Sequence, residues 1–380
     1  MIQDSEQLTE VREAHRFDEG ALDRYLAEHL EGYRGPLRVQ QFEGGQSNPT
    51  FLLSADSGDC VLRKKPPGVL LPRAHMVERE YRILAALAAT DVPVPKVHLL
   101  CEAPDPIGTP FFVMDYVRGR LLRDPTLPDM KPTERRAIYE EILRVLASLH
   151  AVDYEAIGLA DYGKPGNYFG RQIRRWSQQY EASKTREIAS MDRLMKWLPE
   201  NIPDDDTSCI VHGDYRLDNL VLAADEARVS AVLDWELSTL GHPLADLAHG
   251  CAHYYVSIAN QPPLAGVAGG DGVDDDAGGD GIDDASGEGD VTDGTSADSG
   301  IPTEREYVDI YCRCTGRSSV PHWNFYLAFV IFRYAGIAQG VYKRGLQGNA
   351  SSQEAMSLGN IVEVASDKAW EITQRPEINS

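Results

Sequence analysis

Apolar positions along the chain follow two regimes. Up to about residue 117 they come mostly as short strand-like runs, and beyond Pro132 they recur mostly at helical spacing. Leu22, Leu26 and Leu30 stand at i, i+4 and i+8, which predicts a first helix closing near Gly32 to Pro36. Strands are predicted over Leu37–Phe42, Thr50–Ser54 and Cys60–Lys65, the last stopped by Pro66-Pro67-Gly68. A helix from about Arg73 to Ala89 carries a stripe of Val77, Tyr81, Leu84 and Ala88. Glu80 lies on that stripe, and an inward carboxylate needs a partner because burying it alone is costly. A strand over Phe111–Tyr116 then runs into Val117-Arg118-Gly119.

In the second regime, helices are predicted over Ile138–His150, Arg171–Lys184, Met191–Leu198, a stretch after Pro321, and Ser352–Trp370. Two short apolar strands interrupt them. Cys209–Val211 delivers His212-Gly213-Asp214 to a loop, and Val229–Leu233 ends in Asp234-Trp235-Glu236. The expected class is α+β, with a small β-rich lobe over residues 1–117 and a larger, mainly helical lobe over 118–380.

Composition refines this picture. Hydrophobic residues make up 42% of the 380, enough for a sizeable core, which excludes global disorder. The formal net charge of -22 argues against a nucleic-acid partner, whose recognition rests on Lys and Arg at phosphates. Half of that excess sits between Leu264 and Gly300, where 11 acidic residues and 11 glycines occur without one basic residue. This stretch reads as a solvated, disordered insertion in the second lobe. Only nine of the 37 basic residues are Lys. Scarce Lys with abundant carboxylates suits concentrated salt, where self-repulsion is screened, so a halophilic source is expected. The N-terminus lacks a charged-then-apolar signal pattern, and the run Trp323–Phe332 is too short to span a bilayer. Six Cys suggest no disulfide framework. His249, Cys251 and His253 could be read as metal ligands, but residues two apart on a helix diverge. The expectation is a reduced, cytoplasmic protein with no membrane partner.

The strongest chemical signal is the run from Ile210 to Leu222. A strand delivers His212-Gly213-Asp214, Asn219 follows the Asp by five residues, and Asp234 ends a second strand twenty residues on. This spacing matches the catalytic loop of kinases, in which the Asp accepts the substrate hydroxyl proton and an Asn and a second Asp hold Mg²⁺. Arg216 can neutralise charge on a transferring phosphoryl group. In the first lobe, Phe42-Glu43-Gly44-Gly45-Gln46-Ser47-Asn48 lies between two strands, and its glycines would let backbone N–H groups approach phosphates. On the next strand Arg63 and Lys65 share a face, so either could contact phosphates, with Glu80 as the ion-pair partner.

The chain resembles the aminoglycoside-phosphotransferase-like kinase superfamily, and within it the phosphotransferase domain associated with acyl-CoA dehydrogenases. Residues 45–51 (GQSNPTF), 61–72 (VLRKKPPGVLLP), 211–221, 233–247 (LDWELSTLGHPLADL) and 335–342 (AGIAQGVY) carry the resemblance. It implies a bilobal protein-kinase-like fold binding ATP and Mg²⁺ between its lobes, residues 1–117 holding nucleotide and 118–380 supplying catalysis and the acceptor site. Asp214 would be the base, with Arg216 beside it, and Asn219 and Asp234 the metal ligands. Gly44, Gly45, Ser47, Asn48, Arg63, Lys65 and Glu80 would face the nucleotide, and the connector around Met114 and Tyr116 would meet adenine. The implied acceptor is a hydroxyacyl-CoA, with a functional link to an acyl-CoA dehydrogenase. Arg171, Arg174 and Arg175 or Lys343-Arg344 could receive such an anion, and each could equally be a solvated helix face. Alternatives are another hydroxylated metabolite, an aminoglycoside, a non-catalytic nucleotide- or CoA-binding module, and a metal-dependent hydrolase.

Overall fold

The computed structural model describes residues 8–43, 48–66, 75–256, 299–347 and 352–377, of which 352–357 without side chains. Gly44, Gly45 and Ser47, and all but the last two residues of the acidic stretch 264–300, lie outside them. In chain order the elements begin with β1 (Leu8–Thr9), α1 (Glu19–His29), β2 (Arg38–Phe42), β3 (Thr50–Ala55) and β4 (Gly58–Lys64). Next come α2 (Val77–Leu87), β5 (Val97–Cys101), β6 (Phe111–Asp115), β7 (Arg120–Leu121), α3 (Pro132–His150), α4 (Tyr168–Ser183) and α5 (Ala189–Glu200). The chain continues through β8 (Cys209–Val211), β9 (Leu220–Leu222), β10 (Val229–Val232) and β11 (Thr239–Gly241). It closes with α6 (Pro243–Cys251), α7 (Glu304–Thr315), α8 (Trp323–Leu346) and α9 (Ser352–Gln374).

Two compact units are present. The described part of the first comprises residues 8–122 and 218–237. Its main sheet runs β1-β2-β3-β4-β6-β5, and each strand pairs antiparallel with its neighbour. Strand alternation divides this sheet into two faces. Phe51, Leu53, Leu62, Phe111 and Val113 pack with Leu22 and Leu26 of α1 into one apolar core. Lys64 belongs to that face, its Nζ standing 5.7 Å over the Phe51 ring and 5.8 Å over Phe17, and burial lowers its pKa. Arg63 points from the other face, in register with Thr50 and Phe112.

The buried face of α2 is Val77, Glu80, Ile83, Leu84 and Leu87. It departs from the expected stripe at its end, because Ala88 is exposed while Ile83 and Leu87 turn inward at i+3 and i+7 from Glu80. A second small sheet, β7-β9-β10, brings the strand after the His-Gly-Asp loop against Arg120-Leu121. Gly119 permits that crossing, since a Cβ there would stand 2.2 Å from the Leu222 carbonyl oxygen.

The second unit comprises residues 123–217, 238–256 and 299–377 of those described. Its central element is α8, whose 24 residues are long and apolar enough to cross a membrane by composition. However, 83% of its most apolar stretch is buried inside the protein, as befits a core helix. Leu358, Val362, Ala365 and Ala369 of α9 are likewise buried. Helix α7 starts with a capping box in which Glu306 N donates to Thr303 Oγ1 while Thr303 N donates to Glu306 Oε2. All six cysteines are free.

Helix α6 has a titratable cap. His242 is 1% exposed, stacks on Tyr326, and accepts the Leu244 N–H at Nδ1. Burial lowers its pKa to about 4, against the opposing pull of Asp205. Between the unfolded value near 6.5 and about 4, the unfolded chain binds a proton that the folded chain refuses. Stability is therefore expected to fall as pH drops through that window, by about 3 kcal/mol in total. His242→Asn keeps an acceptor for the cap without titrating. Thermal denaturation between pH 7 and 4.5 should show a shallower decline for the variant, and equal declines would assign the acid sensitivity to other groups.

Candidate active site

In the first unit, one guanidinium meets three carboxylates. Arg63 is 7% exposed at the end of β4. Its Nε lies 3.0 Å from Glu80 Oε2, and its Nη2 lies 2.6 Å from Asp234 Oδ1 and 3.6 Å from Glu236 Oε2. The Asp234 contact is an aligned hydrogen bond, whereas Nε and Glu80 attract as charges without such alignment. Burial raises the Glu80 pKa to about 7, Arg63 pulls it down, and Asp234 pushes it up again. Asn48 is buried and donates to Glu236 Oε2 at 3.3 Å, while its Oδ1 lies 3.2 Å from His75 Nδ1. Lys65 lies just past β4 and pairs with Glu78 at 2.9 Å. The sharing of one face that left Arg63 and Lys65 equivalent ends with the strand, and only Arg63 reaches Glu80.

Asn219 and Asp234 are brought near one another by backbone pairing, in which Leu233 N donates to Asn219 O at 2.8 Å. Asp234 adopts a φ of 59°, a left-handed conformation unusual for a residue with a Cβ. Its side chain is 30% exposed, against 3% for Glu80 and 5% for Glu236. Three carboxylates against one guanidinium leave a local surplus of negative charge beside an amide oxygen donor. This hard-oxygen set fits Mg²⁺, which keeps several waters and needs only one or two protein carboxylates. No group of three or more His, Cys, Asp or Glu side chains forms a metal cage among the described residues. On β6, Met114 is buried on the Arg63 face of the sheet. The Tyr116 ring lies 6.1 Å from Phe42, with the Arg118 guanidinium 5.4 Å over it.

In the second unit, the pair β8–β11 delivers the His-Gly-Asp loop. Gly213 has a φ of 83°, which explains glycine at the middle position. Asp246 of α6 holds the loop by accepting His212 N at 2.6 Å and Gly213 N at 2.9 Å, and His150 Nε2 lies 3.5 Å from it. His249, one turn further along α6, has Nε2 3.0 Å from Asp214 Oδ1. Burial alone would raise the Asp214 pKa. The His249 hydrogen bond and charge, followed by Arg216 and His212, overcome it and hold the carboxyl below the ordinary range. Asp214 is thus an ionised, buried carboxylate with a fixed orientation.

Sequence reasoning missed Glu236, Asp246 and the contact of His249 with Asp214. The signal was present, since Asp246 and His249 stand at i and i+3 in an otherwise apolar helix. Like Glu80, both are titratable groups on a buried helix face and need partners. His249, Cys251 and His253 do not converge. His249 turns to Asp214, Cys251 is buried, and His253 Nδ1 bonds the Gly250 carbonyl.

The phosphotransferase enzyme family model matches residues 38–282. Acyl-CoA dehydrogenase family member 10 of Mus musculus is 43% identical over 366 residues, covering 96% of this chain and 32% of that relative. The chain therefore spans only part of that longer protein. A crystal structure from Ralstonia eutropha, classed with the aminoglycoside phosphotransferases, is 47% identical with a TM-score of 0.80. It covers 94% of this chain and 99% of its own. The aminoglycoside phosphotransferase APH(4)-Ia, in ternary complex with ADP and hygromycin B, shares the fold at 15% identity and a TM-score of 0.57, over 94% of this chain and 100% of its own. The fold is thus the α+β protein-kinase-like one, with a small β-rich lobe and a larger helical lobe, and the chain belongs to the phosphotransferase enzyme family.

Proposed function

We propose that this small-molecule phosphotransferase transfers the γ-phosphoryl group of ATP, with Mg²⁺, to the hydroxyl of a hydroxyacyl-CoA. The observation that carries the catalytic half is Asp214, a buried carboxylate kept ionised and oriented by His249 and by the Asp246-anchored loop. Such a group is poised to accept a proton from an acceptor hydroxyl as its oxygen attacks phosphorus and ADP departs. Arg216 places positive charge near that carboxylate and serves the transferring phosphoryl group. Arg63, fixed by Glu80, takes the role usually given to Lys and anchors phosphate oxygens, and its planar fork suits two of them. Asn219 and Asp234 hold Mg²⁺, which when bound neutralises phosphate charge. Met114 and Tyr116 border the adenine, and Asn48, tied to Glu236, stands ready beside the nucleotide. ATP as donor is supported by the nucleotide-bound phosphotransferase that shares the fold.

An acyl-CoA acceptor is supported by the name of the longer relative of 43% identity, an acyl-CoA dehydrogenase family member of which this chain spans 32%. Phosphorylation would turn a poor leaving group, the hydroxyl, into one that a later elimination can expel. Purified protein incubated with ATP, Mg²⁺ and 4-hydroxyacyl-CoA should yield ADP and a phosphorylated thioester by mass spectrometry. Transfer to an aminoglycoside or another alcohol, with hydroxyacyl-CoA untouched, would overturn the acceptor and leave the kinase. Phosphate release at an unchanged rate without acceptor would identify a hydrolase. Nucleotide binding without turnover would identify a binding module.

A further inference from the structure

Arg333 of α8 stands out in the second unit because it is partly buried without a carboxylate partner among the described residues. Its Nη2 donates to the carbonyl of Gly213, next to Asp214, at 3.1 Å. Its guanidinium carbon lies 5.6 Å from the Trp176 ring centroid, and its Nε has no hydrogen-bond partner among the described residues. The next residue, Tyr334, is 5% exposed with a hydroxyl equally unpartnered. Arg216 acts electrostatically on both Asp214 and Tyr334. Arg175 lies 5.5 Å from the same Trp176 ring. Structural arginines that are withdrawn from water are normally neutralised, and buried donors are normally satisfied. A guanidinium without a carboxylate partner among the described residues, bonded to the carbonyl next to Asp214, is what an acceptor oxygen would complete.

We propose that Arg333, seated by Trp176 and bonded to Gly213, selects the acceptor by donating to its acyl oxygen, either a thioester carbonyl or a free carboxylate. This deepens the hydroxyacyl reading above and rests on it. The acceptor class is a hydroxyacyl compound whose acyl oxygen lies only a few bonds from the hydroxyl that Asp214 deprotonates. The positive charge of Arg333 disfavours a polycationic aminoglycoside.

The test compares wild type, Arg333→Gln and Arg333→Lys on three acceptors: 4-hydroxyacyl-CoA, the free 4-hydroxy acid, and the matching 1,4-diol without an acyl oxygen. Removing a charged hydrogen bond should lower kcat/KM for the acyl acceptors about ten- to a hundred-fold, mainly through KM. Transfer to the diol should fall far less than transfer to the acyl acceptors, and the KM for ATP should stay unchanged. Arg333→Lys keeps the charge and should lose less, and it supplies the comparison if the Gln variant does not fold. Loss confined to the thioester or to the acid identifies which oxygen is read. Equal loss on acyl acceptors and diol would mean that Arg333 merely braces the loop, and would overturn the inference. If wild type phosphorylates no hydroxyacyl compound, the function proposed above fails on its own. The inference is then decided by binding of unreactive acyl-CoA and fatty acid lacking the hydroxyl, followed by tryptophan fluorescence. Weaker binding to Arg333→Gln sustains it, and equal or absent binding to both proteins overturns it.

Discussion

Asp214→Asn is expected to lower phosphoryl transfer by about 10²- to 10⁴-fold, the range contributed by a positioned general base, with little change in the KM for ATP. Asn has the same shape and can still meet His249 Nε2, so the loop should keep its place, while the thermal midpoint should fall because the stabilising carboxylate charge is lost. The pH dependence is informative in sign. The folded pKa of Asp214 lies below its unfolded value, so the stability it contributes is complete above the unfolded carboxylate range and lost only as pH falls through the lower folded value. No acid limb in kcat/KM should therefore arise from Asp214 near neutrality. His249→Ala removes the largest opposing influence and leaves burial countered only by Arg216 and His212. An acid limb should then appear and move toward neutral pH, read from kcat/KM between pH 5 and 9. A variant Asp214→Asn with unaltered turnover would remove this residue from the mechanism.

Arg63→Ala is expected to have the largest effect on stability. It strands Glu80 and Glu236 in the interior and leaves Asp234 without its 2.6 Å partner. Breaking a buried ion pair from one side costs about 3–5 kcal/mol, a large share of the 5–15 kcal/mol of a typical domain. The first unit should melt early or not fold, and Mg²⁺ should recover part of the loss by neutralising carboxylates. Arg63→Lys keeps one charge and should fold, with a raised KM for ATP because a single ammonium replaces a fork. Thermal denaturation with and without Mg²⁺, alongside ATP kinetics, separates the two. An unchanged midpoint for Arg63→Ala would mean that the three carboxylates are neutralised some other way.

The elements that the sequence made legible were those with an unbroken period or an explicit stop. The helix after Pro321 extends to Leu346, and the strand Cys209–Val211 was read to the residue. Helix α6 offered no such pattern, because eight of its nine residues are buried and no polar face marks its period. Helix α7 follows the acidic stretch without a long apolar run, yet its Thr303–Glu306 capping box was a usable start signal. Within the candidate site, spacing pointed to Asp214, Asn219 and Asp234 because loop chemistry is local in sequence. Glu236, Asp246, His249 and Arg333 were obscured for the opposite reason. Each gains its meaning from a contact made 33 to 173 residues away, such as Asp246 with Gly213 or Arg63 with Glu236.

The double duty of α6 bears on any attempt to move this chemistry elsewhere. One turn of a nine-residue helix fixes the path of the His-Gly-Asp loop through Asp246 and the ionisation of Asp214 through His249. A graft of the His-Gly-Asp loop alone into a new scaffold would copy the letters and leave behind both groups that give them their behaviour. The smallest portable module is the loop together with residues 243–251, joined through β11. Chimeras cut between them should fold and bind yet turn over poorly, whereas chimeras that exchange them as one block should remain active.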